Sequence, residues 1–422
     1  MKGEKAAWAP RYADGMQDFQ ASEIRELLKL IEQPGVISFA GGIPDPALFP
    51  TGLIQQAYDA ILGDREEARR ALQYSVSEGD PDLRAWIVEH MRAKGVPCDP
   101  ENILITSGSQ QALEFLGRLF VSPGDRVAVT APTYLGALQA FAPNRPTYAT
   151  LRISDNGRVE LDDGEERAAG RRDAFAYVVP DFANPTGETL GEEARRGILA
   201  LAAARDMPVI EDSPYEVLRF DGIAEAPMLA LDAGDAGGID ASRVVYCGSF
   251  SKIFTPGLRV GWVCAAREIV SRLTLIKQSS DLNSPAINQR VMLHLARTIY
   301  DAQAERARNV YREKRDAMLS RIGDALPSGS RWTRPDGGMF VWVELPGGID
   351  TKELLVHAVA DHGVAFVPGR AFFADGSGGN TLRLSYTLPS LQDIEIGLGR
   401  LADAFASSGA QRETSQVMLD AR

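Results

Sequence analysis

From about residue 70 to residue 300 the chain repeats one pattern, a short β-branched run followed by a helical stretch. The runs are NILIT, RVAVT, AYVV, MPVIE, RVVYC and VGWVC. Their apolar residues are nearly continuous rather than alternating with polar ones. Such strands must be covered on both faces, and the intervening helices supply the cover. The pattern predicts an α/β fold built on a mostly parallel sheet. After about residue 300 the rhythm changes. A long helical stretch over 286–324 leads to GGMFVWVELP and TLRLSYT, strands with more alternation, as in a smaller α+β unit.

The expected organisation is therefore an N-terminal arm and helix over 1–50, partly joining the small domain, then a large domain over 51–299 and a small domain over 300–408. A polar tail, loose from Ser407 onward, occupies 409–422. The first helix is read from ASEIRELLKLIEQPG, where Ser22 can cap a stripe of Ile24, Leu27, Leu28 and Ile31 and Pro34-Gly35 stops it. The charged SDNGRVELDDGEERAAGRRD reads as a surface connection.

The formal charge of −12 argues against broad electrostatic capture of nucleic acid or of an anionic membrane and leaves a small-molecule partner as the expectation. Cys98, Cys247 and Cys264 show no CxxC spacing, so no metal site or disulfide framework is expected. The opening MKGEKAAWAPRYADGM lacks the apolar core of a signal peptide, and no run approaches the ~18 apolar residues of a membrane span. The expected location is cytoplasmic, with no membrane partner.

In open α/β sheets ligands bind beyond the carboxyl ends of the strands, so the residues at the end of each run carry the functional signal. ILIT leads into Ser107-Gly108-Ser109-Gln110-Gln111, RVAVT into Thr133-Tyr134, YVVPDF into Asn184-Pro185-Thr186-Gly187, PVIE into Asp212-Ser213-Pro214-Tyr215, and VVYCG into Ser249 and Lys252. Each has an ordinary explanation alone: a surface lysine, a turn, a capping aspartate. If the strands are parallel neighbours, all five deliver their polar groups to one edge.

The groups specify a chemistry. Glycine and hydroxyls at the start of the helix in SGSQQALEFLGRLF favour a phosphate, to which Ser249 and Arg259 add donors. Lys252, once desolvated, suits a Schiff base with a carbonyl. Asp212 can keep a ring nitrogen protonated, and an asparagine with a tyrosine can hydrogen-bond a phenolate-like oxygen. Phosphate, aldehyde, pyridine nitrogen and ring hydroxyl together describe pyridoxal 5′-phosphate.

With these residues in place, the sequence resembles the class I/II aminotransferases of the fold-type I pyridoxal-phosphate-dependent superfamily, from about Phe19 to Ala406. SFSKIFTPGLRVGW, NPTG, DSPY and TLRLSY carry the likeness. The segments IRELLKL…PGVISFAGGIPDPALFP and TSGSQQAL resemble the branch of α-aminoadipate, kynurenine and aromatic amino acid aminotransferases. The resemblance implies a large domain with a mostly parallel seven-stranded sheet, a smaller α+β domain, and transfer of an amino group between an L-α-amino acid and a 2-oxo acid by a ping-pong mechanism.

It also implies roles. Lys252 would carry the Schiff base and move the proton, Asp212 would pair with the pyridinium, Asn184 and Tyr215 would bind the ring oxygen, and Tyr134 would stack on the ring. Ser109, Gln110, Ser249 and Arg259 would hold the phosphate. Arg383 would clamp the substrate α-carboxylate with Asn184 beside it, although Leu382-Arg383-Leu384-Ser385 alone reads as an ordinary half-exposed strand. Tyr74 resembles the tyrosine that reaches the neighbouring subunit's phosphate, which implies a homodimer with shared sites. Arg25 and Gly42 lie in a segment expected to line the side-chain pocket. SSDLNSPAINQ departs from the branch's usual His- or Thr-containing loop, so Asn283 and Ser284 are given no role.

The alternative on the same scaffold is a lyase, decarboxylase or racemase. A third reading is an effector-sensing regulator, since some transcription regulators resemble this branch behind a winged helix. Only about twenty residues precede the family-like region here, too few for such a module.

Overall fold

The computed structural model describes residues 8–12, 35–154, 157–162 and 171–420. The helix expected at ASEIRELLKLIEQPG, and Arg25 within it, lie outside the described residues.

A short strand, β1 (Ile37–Ser38), precedes the main sheet. That sheet has eight strands: β2 (Ile103–Thr106), β3 (Arg126–Thr130), β4 (Thr147–Ile153), β5 (Val159–Leu161), β6 (Asp173–Val178), β7 (Val209–Asp212), β8 (Val244–Ser249) and β9 (Gly261–Cys264). Their order is β2-β9-β8-β7-β6-β3-β4-β5. The strand count exceeds the expected seven because β5 forms an antiparallel edge on β4, from within the charged stretch read as a connection.

β4, β3, β6, β7 and β8 run parallel, and β9 is antiparallel to both β8 and β2. The reversal at β9 has a simple cause. Segment 250–260 between β8 and β9 is shorter than the crossover that a parallel return needs. β2 consequently points the same way as β8, so the five strands with informative ends all finish at one edge.

Successive residues on the strands feed opposite cores. Val127, Val129, Phe175 and Tyr177 pack on one face, and Ala128, Ala176 and Val178 on the other. The adjacent acids of β7 divide in the same way. Glu211 turns to the helix Met228–Ala236 and accepts from Met228 N and Leu229 N, both at 2.9 Å, which caps that helix. Asp212 faces the opposite side, toward the strand-end edge.

The remaining strands are β10 (Arg331–Trp332), β11 (Phe340–Glu344), β12 (Val364–Ala365), β13 (Val367–Pro368) and β14 (Thr381–Ser385). β10, β11, β14 and β13 form an antiparallel sheet in that order, and β1 pairs parallel with β12. The helix Ala286–Ala325 connects the two sheets. The last helix, Leu391–Asp420, continues through the stretch expected to be loose after Ser407. No helix among the described residues is long and apolar enough to cross a membrane.

Candidate active site

Ser109, Gln110, Tyr134, Asp212, Tyr215, Ser249, Lys252 and Arg259 line one cavity of about 120 Å³ at the carboxyl ends of β2, β3, β7 and β8. Asn184, Gly42 and Arg383 join it through hydrogen bonds. Lys252 Nζ donates to Gly42 O at 3.0 Å, Arg383 Nη1 to Asn184 Oδ1 at 2.7 Å, and Asn184 Nδ2 to the Tyr215 hydroxyl at 3.5 Å. Tyr74 is not part of this cavity. It stands 79% exposed, beside Leu72 at 70% and Val76 at 54%.

Ser109 opens the helix Ser109–Phe120, and its amide and that of Gln110 precede the first backbone bond of the helix, which Gln111 N donates to Gly108 O at 3.2 Å. Gly108 precedes it with φ of 82°, and a Cβ there would lie 2.5 Å from Arg259 Nη2. Only glycine lets the guanidinium close over the turn, where Arg259 Nη2 donates to Ser107 O at 3.2 Å. The Gln110 side chain is already engaged: Nε2 donates to Gly136 O at 2.6 Å and Oε1 accepts from the Tyr134 hydroxyl at 3.4 Å. What Gln110 can offer an anion is therefore its backbone N–H. The first-turn amides, the Ser249 hydroxyl and the Arg259 guanidinium form a donor set suited to a phosphate.

The opposite end of the cavity holds acid and amine. Asp212 is buried, its Oδ2 accepts from the Tyr177 hydroxyl at 2.8 Å, and its Oδ1 has no partner among the described residues. Burial raises its pKa to about 6, against the lowering effects of the Tyr177 hydrogen bond and the Lys252 charge. An unpaired buried carboxylate oxygen is costly, so this one calls for a cationic donor, as a protonated pyridine nitrogen would be. Desolvation, then the charges of Arg383 and Arg259, bring Lys252 down to about 8 in spite of Asp212. Burial also pushes the Tyr134 phenol up to about 12, and that of Tyr215 higher, so both remain hydrogen-bond donors. This donor set fits pyridoxal 5′-phosphate at both its phosphate and its ring.

Arg383 is buried rather than half-exposed, because both faces of β14 are covered. Its guanidinium carbon lies 4.3 Å from the centre of the Phe340 ring and 5.1 Å from that of Phe372. Nη2 donates to Ala40 O at 2.8 Å, and Nε has no partner among the described residues. Two of the five guanidinium hydrogens are thus used for positioning and three remain for a ligand.

Sequence reasoning missed Tyr177, Ala40 and the two phenylalanines around Arg383. A tyrosine inside the apolar run AYVV was the available signal, since a buried phenol needs a hydrogen-bond partner. Nothing local marked Phe340 or Phe372.

Residues 42–401 match the family described as aminotransferase class I and II. The chain is 43% identical to a 2-aminoadipate transaminase of Thermus thermophilus, over 94% of this chain and 97% of that one. It is 41% identical to aromatic-amino-acid aminotransferase 1 of Thermococcus litoralis, over 91% of each. The crystal structure of an alpha-aminoadipate aminotransferase from Thermus thermophilus, complexed with N-(5′-phosphopyridoxyl)-L-leucine, superposes with a TM-score of 0.85 at 40% identity. That match covers 96% of this chain and 100% of the other.

Proposed function

Since this chain belongs to the class I and II aminotransferases and is a pyridoxal-phosphate-dependent transaminase, moving an amino group between an amino acid and a 2-oxo acid, we propose that Lys252 carries the transfer. The observation behind this reading is the pairing, in one cavity, of an amine of lowered pKa with a buried carboxylate oxygen that lacks a donor.

When bound, the cofactor supplies an electron sink for the pair left at the amino acid's α-carbon as its proton departs. Lys252 Nζ, largely deprotonated above pH 8, would be the nucleophile that holds the cofactor's aldehyde carbon. Freed from that bond, the Lys252 amine would take the proton from the amino acid's Cα and deliver it to the cofactor carbon on the far side of the amino nitrogen. Asp212 Oδ1, which lacks a partner among the described residues, would accept the ring N–H, and its negative charge would keep that proton in place. The Asn184 amide and Tyr215 hydroxyl would bind the ring oxygen, and Tyr134 would cover a ring face. The amides of Ser109 and Gln110 hold the phosphate with Ser249 and Arg259. Arg383 presents its free N–H groups to the α-carboxylate, with Asn184 fixing its plane, and Gly42 lines the side-chain pocket. A second half-reaction with a 2-oxo acid runs these proton movements in reverse, which gives ping-pong kinetics.

The working unit in this reading is a homodimer in which Tyr74 reaches the phosphate of a second copy, and the exposure of Leu72, Tyr74 and Val76 supports it. Free thiols at Cys98, Cys247 and Cys264 fit a reducing cytoplasm. The donor is proposed to be among the amino acids for which its relatives are named, 2-aminoadipate and the aromatic amino acids. Borohydride reduction of the holoenzyme with subsequent peptide mapping is the test. The label should sit on Lys252, and a label on any other residue would overturn the assignment.

A further inference from the structure

Behind the turn that faces the phosphate end of the cavity lies a second polar cluster. Lys277, on the helix Arg267–Ser280, has a side chain with 0% exposure. Its ammonium donates to Gln111 Oε1 at 3.0 Å, to Asp281 Oδ1 at 2.9 Å and to Ser284 Oγ at 2.9 Å. Gln111 is bound at both ends: Oε1 also accepts from Ser107 N at 2.8 Å, and Nε2 donates to Asp281 Oδ2 at 2.8 Å. The Ser107 hydroxyl reaches the same carboxylate oxygen at 3.2 Å, and Ser107 O accepts from Arg259. Two residues, Gln111 and Ser107, therefore separate the buried ammonium from the guanidinium at the cavity wall.

Burying an ammonium carries a desolvation cost, and apolar residues of similar volume often replace buried ion pairs without loss of stability. What an apolar residue could not do is fix the Gln111 amide in a single orientation and thereby tie down Ser107. The Gln111 side chain is what anchors the Ser107 N–H at the head of the Ser107-Gly108-Ser109 turn. The shape of that turn decides whether the first-turn amides and Arg259 converge on a single point. Desolvation lowers the Lys277 pKa, and the hydrogen bond and charge of Asp281 offset that only in part.

We propose that Lys277 is a positioning residue for the cofactor phosphate: through Gln111 and Asp281 it holds the Ser107–Ser109 turn in its anion-binding shape. Ser284, which had no assigned role, belongs to this brace. The inference rests on the reading of Ser109, Ser249 and Arg259 as the phosphate site.

The test removes cofactor from the holoenzyme and titrates it back, using the absorbance of the Lys252 adduct, with pyridoxal 5′-phosphate and separately with pyridoxal, which lacks the phosphate. Lys277→Met should weaken the phosphorylated ligand about tenfold or more and leave pyridoxal within about twofold. Equal weakening of both, or of neither, overturns the proposal, because a general structural role would not distinguish them. Should Lys277→Met fail to give a native circular dichroism spectrum, Gln111→Leu cuts the same link at the surface of the cluster and is judged by the same ratio. Arg259→Ala separates the two readings. If it leaves the ratio unchanged, the phosphate site itself is misassigned; if it collapses the ratio while Lys277→Met does not, only the role of Lys277 is lost.

Discussion

The Tyr177 hydroxyl donates to Asp212 Oδ2 at 2.8 Å and leaves Oδ1 as the one carboxylate oxygen free to face the cavity. Tyr177 sits on β6 and Asp212 on the neighbouring β7, so the hydrogen bond crosses adjacent parallel strands just before they open into the site. A phenol that donates to a buried carboxylate stabilises the ionised form, which a protonated ring nitrogen requires.

Tyr177→Phe keeps the ring packed and removes this donor. The expected outcome is full cofactor loading and a transamination rate lower by about tenfold, in keeping with one hydrogen bond to a charged group. Asp212→Asn removes the charge itself and should cost more than about a hundredfold. Steady-state kinetics at saturating cofactor decide the matter, and a Tyr177→Phe enzyme at wild-type rate would show that the phenol only fills space.

Tyr177 also shows where the sequence stops being informative. The five strand ends were legible because β-branched runs stop abruptly at hydroxyls, amides and charged groups, and those residues do line or join one cavity. Tyr177 lies before the end of its run, where a phenol looks like core, and its partner is 35 positions away on another strand. Arg383 was obscured for a different reason. Leu-Arg-Leu-Ser alternates as a half-exposed strand does, but β14 lies between β11 and β13 with both faces covered. β5 was invisible because a short edge strand needs no apolar run, and the direction of β9 came from the length of a connection rather than from its own residues.

The lowered pKa of Lys252 gives a pH dependence. In the proposed role of Lys252 the neutral amine is the nucleophile, so the rate of cofactor attachment to the cofactor-free chain should rise through pH 8 and level off above it. After desolvation, Arg383 is the largest cause of the lowering. Arg383→Met should therefore move the midpoint to higher pH. Stopped-flow absorbance across pH 6–10 would measure both, and a wild-type midpoint at the ordinary lysine value would contradict the electrostatic account.

The proposed homodimer, with Tyr74 reaching the phosphate of a second copy, predicts recovery in mixed dimers. A Lys252→Ala chain still offers its Tyr74, and a Tyr74→Phe chain still offers its Lys252. In a hybrid, one site receives both intact groups. With random exchange, half the dimers are hybrids with one working site of two, so activity should return to about a quarter of wild type. Each variant alone should remain well below that. Absence of recovery, with exchange verified by differently tagged chains, would place Tyr74 outside the partner's site.

Arg383→Lys preserves the charge but removes the planar fork, and the surroundings of Arg383 make that loss severe. The guanidinium lies against the rings of Phe340 and Phe372 and is fixed in plane by Asn184 Oδ1 and Ala40 O. A lysine ammonium cannot stack in the same slot, reach both acceptors and still present two parallel donors to a carboxylate. The substitution should therefore lower kcat/KM for the amino acid by about a hundredfold or more, chiefly through KM. Cofactor binding should change far less, because the hydrogen bonds of Arg383 go to Asn184 and Ala40 and not to the groups assigned to the phosphate. A substrate without the α-carboxylate, such as a simple primary amine, should lose almost nothing between wild type and variant. Comparing the half-reaction rates of an amino acid and its decarboxylated amine tests this directly, since an equal loss for both would mean that Arg383 shapes the cavity without binding the carboxylate.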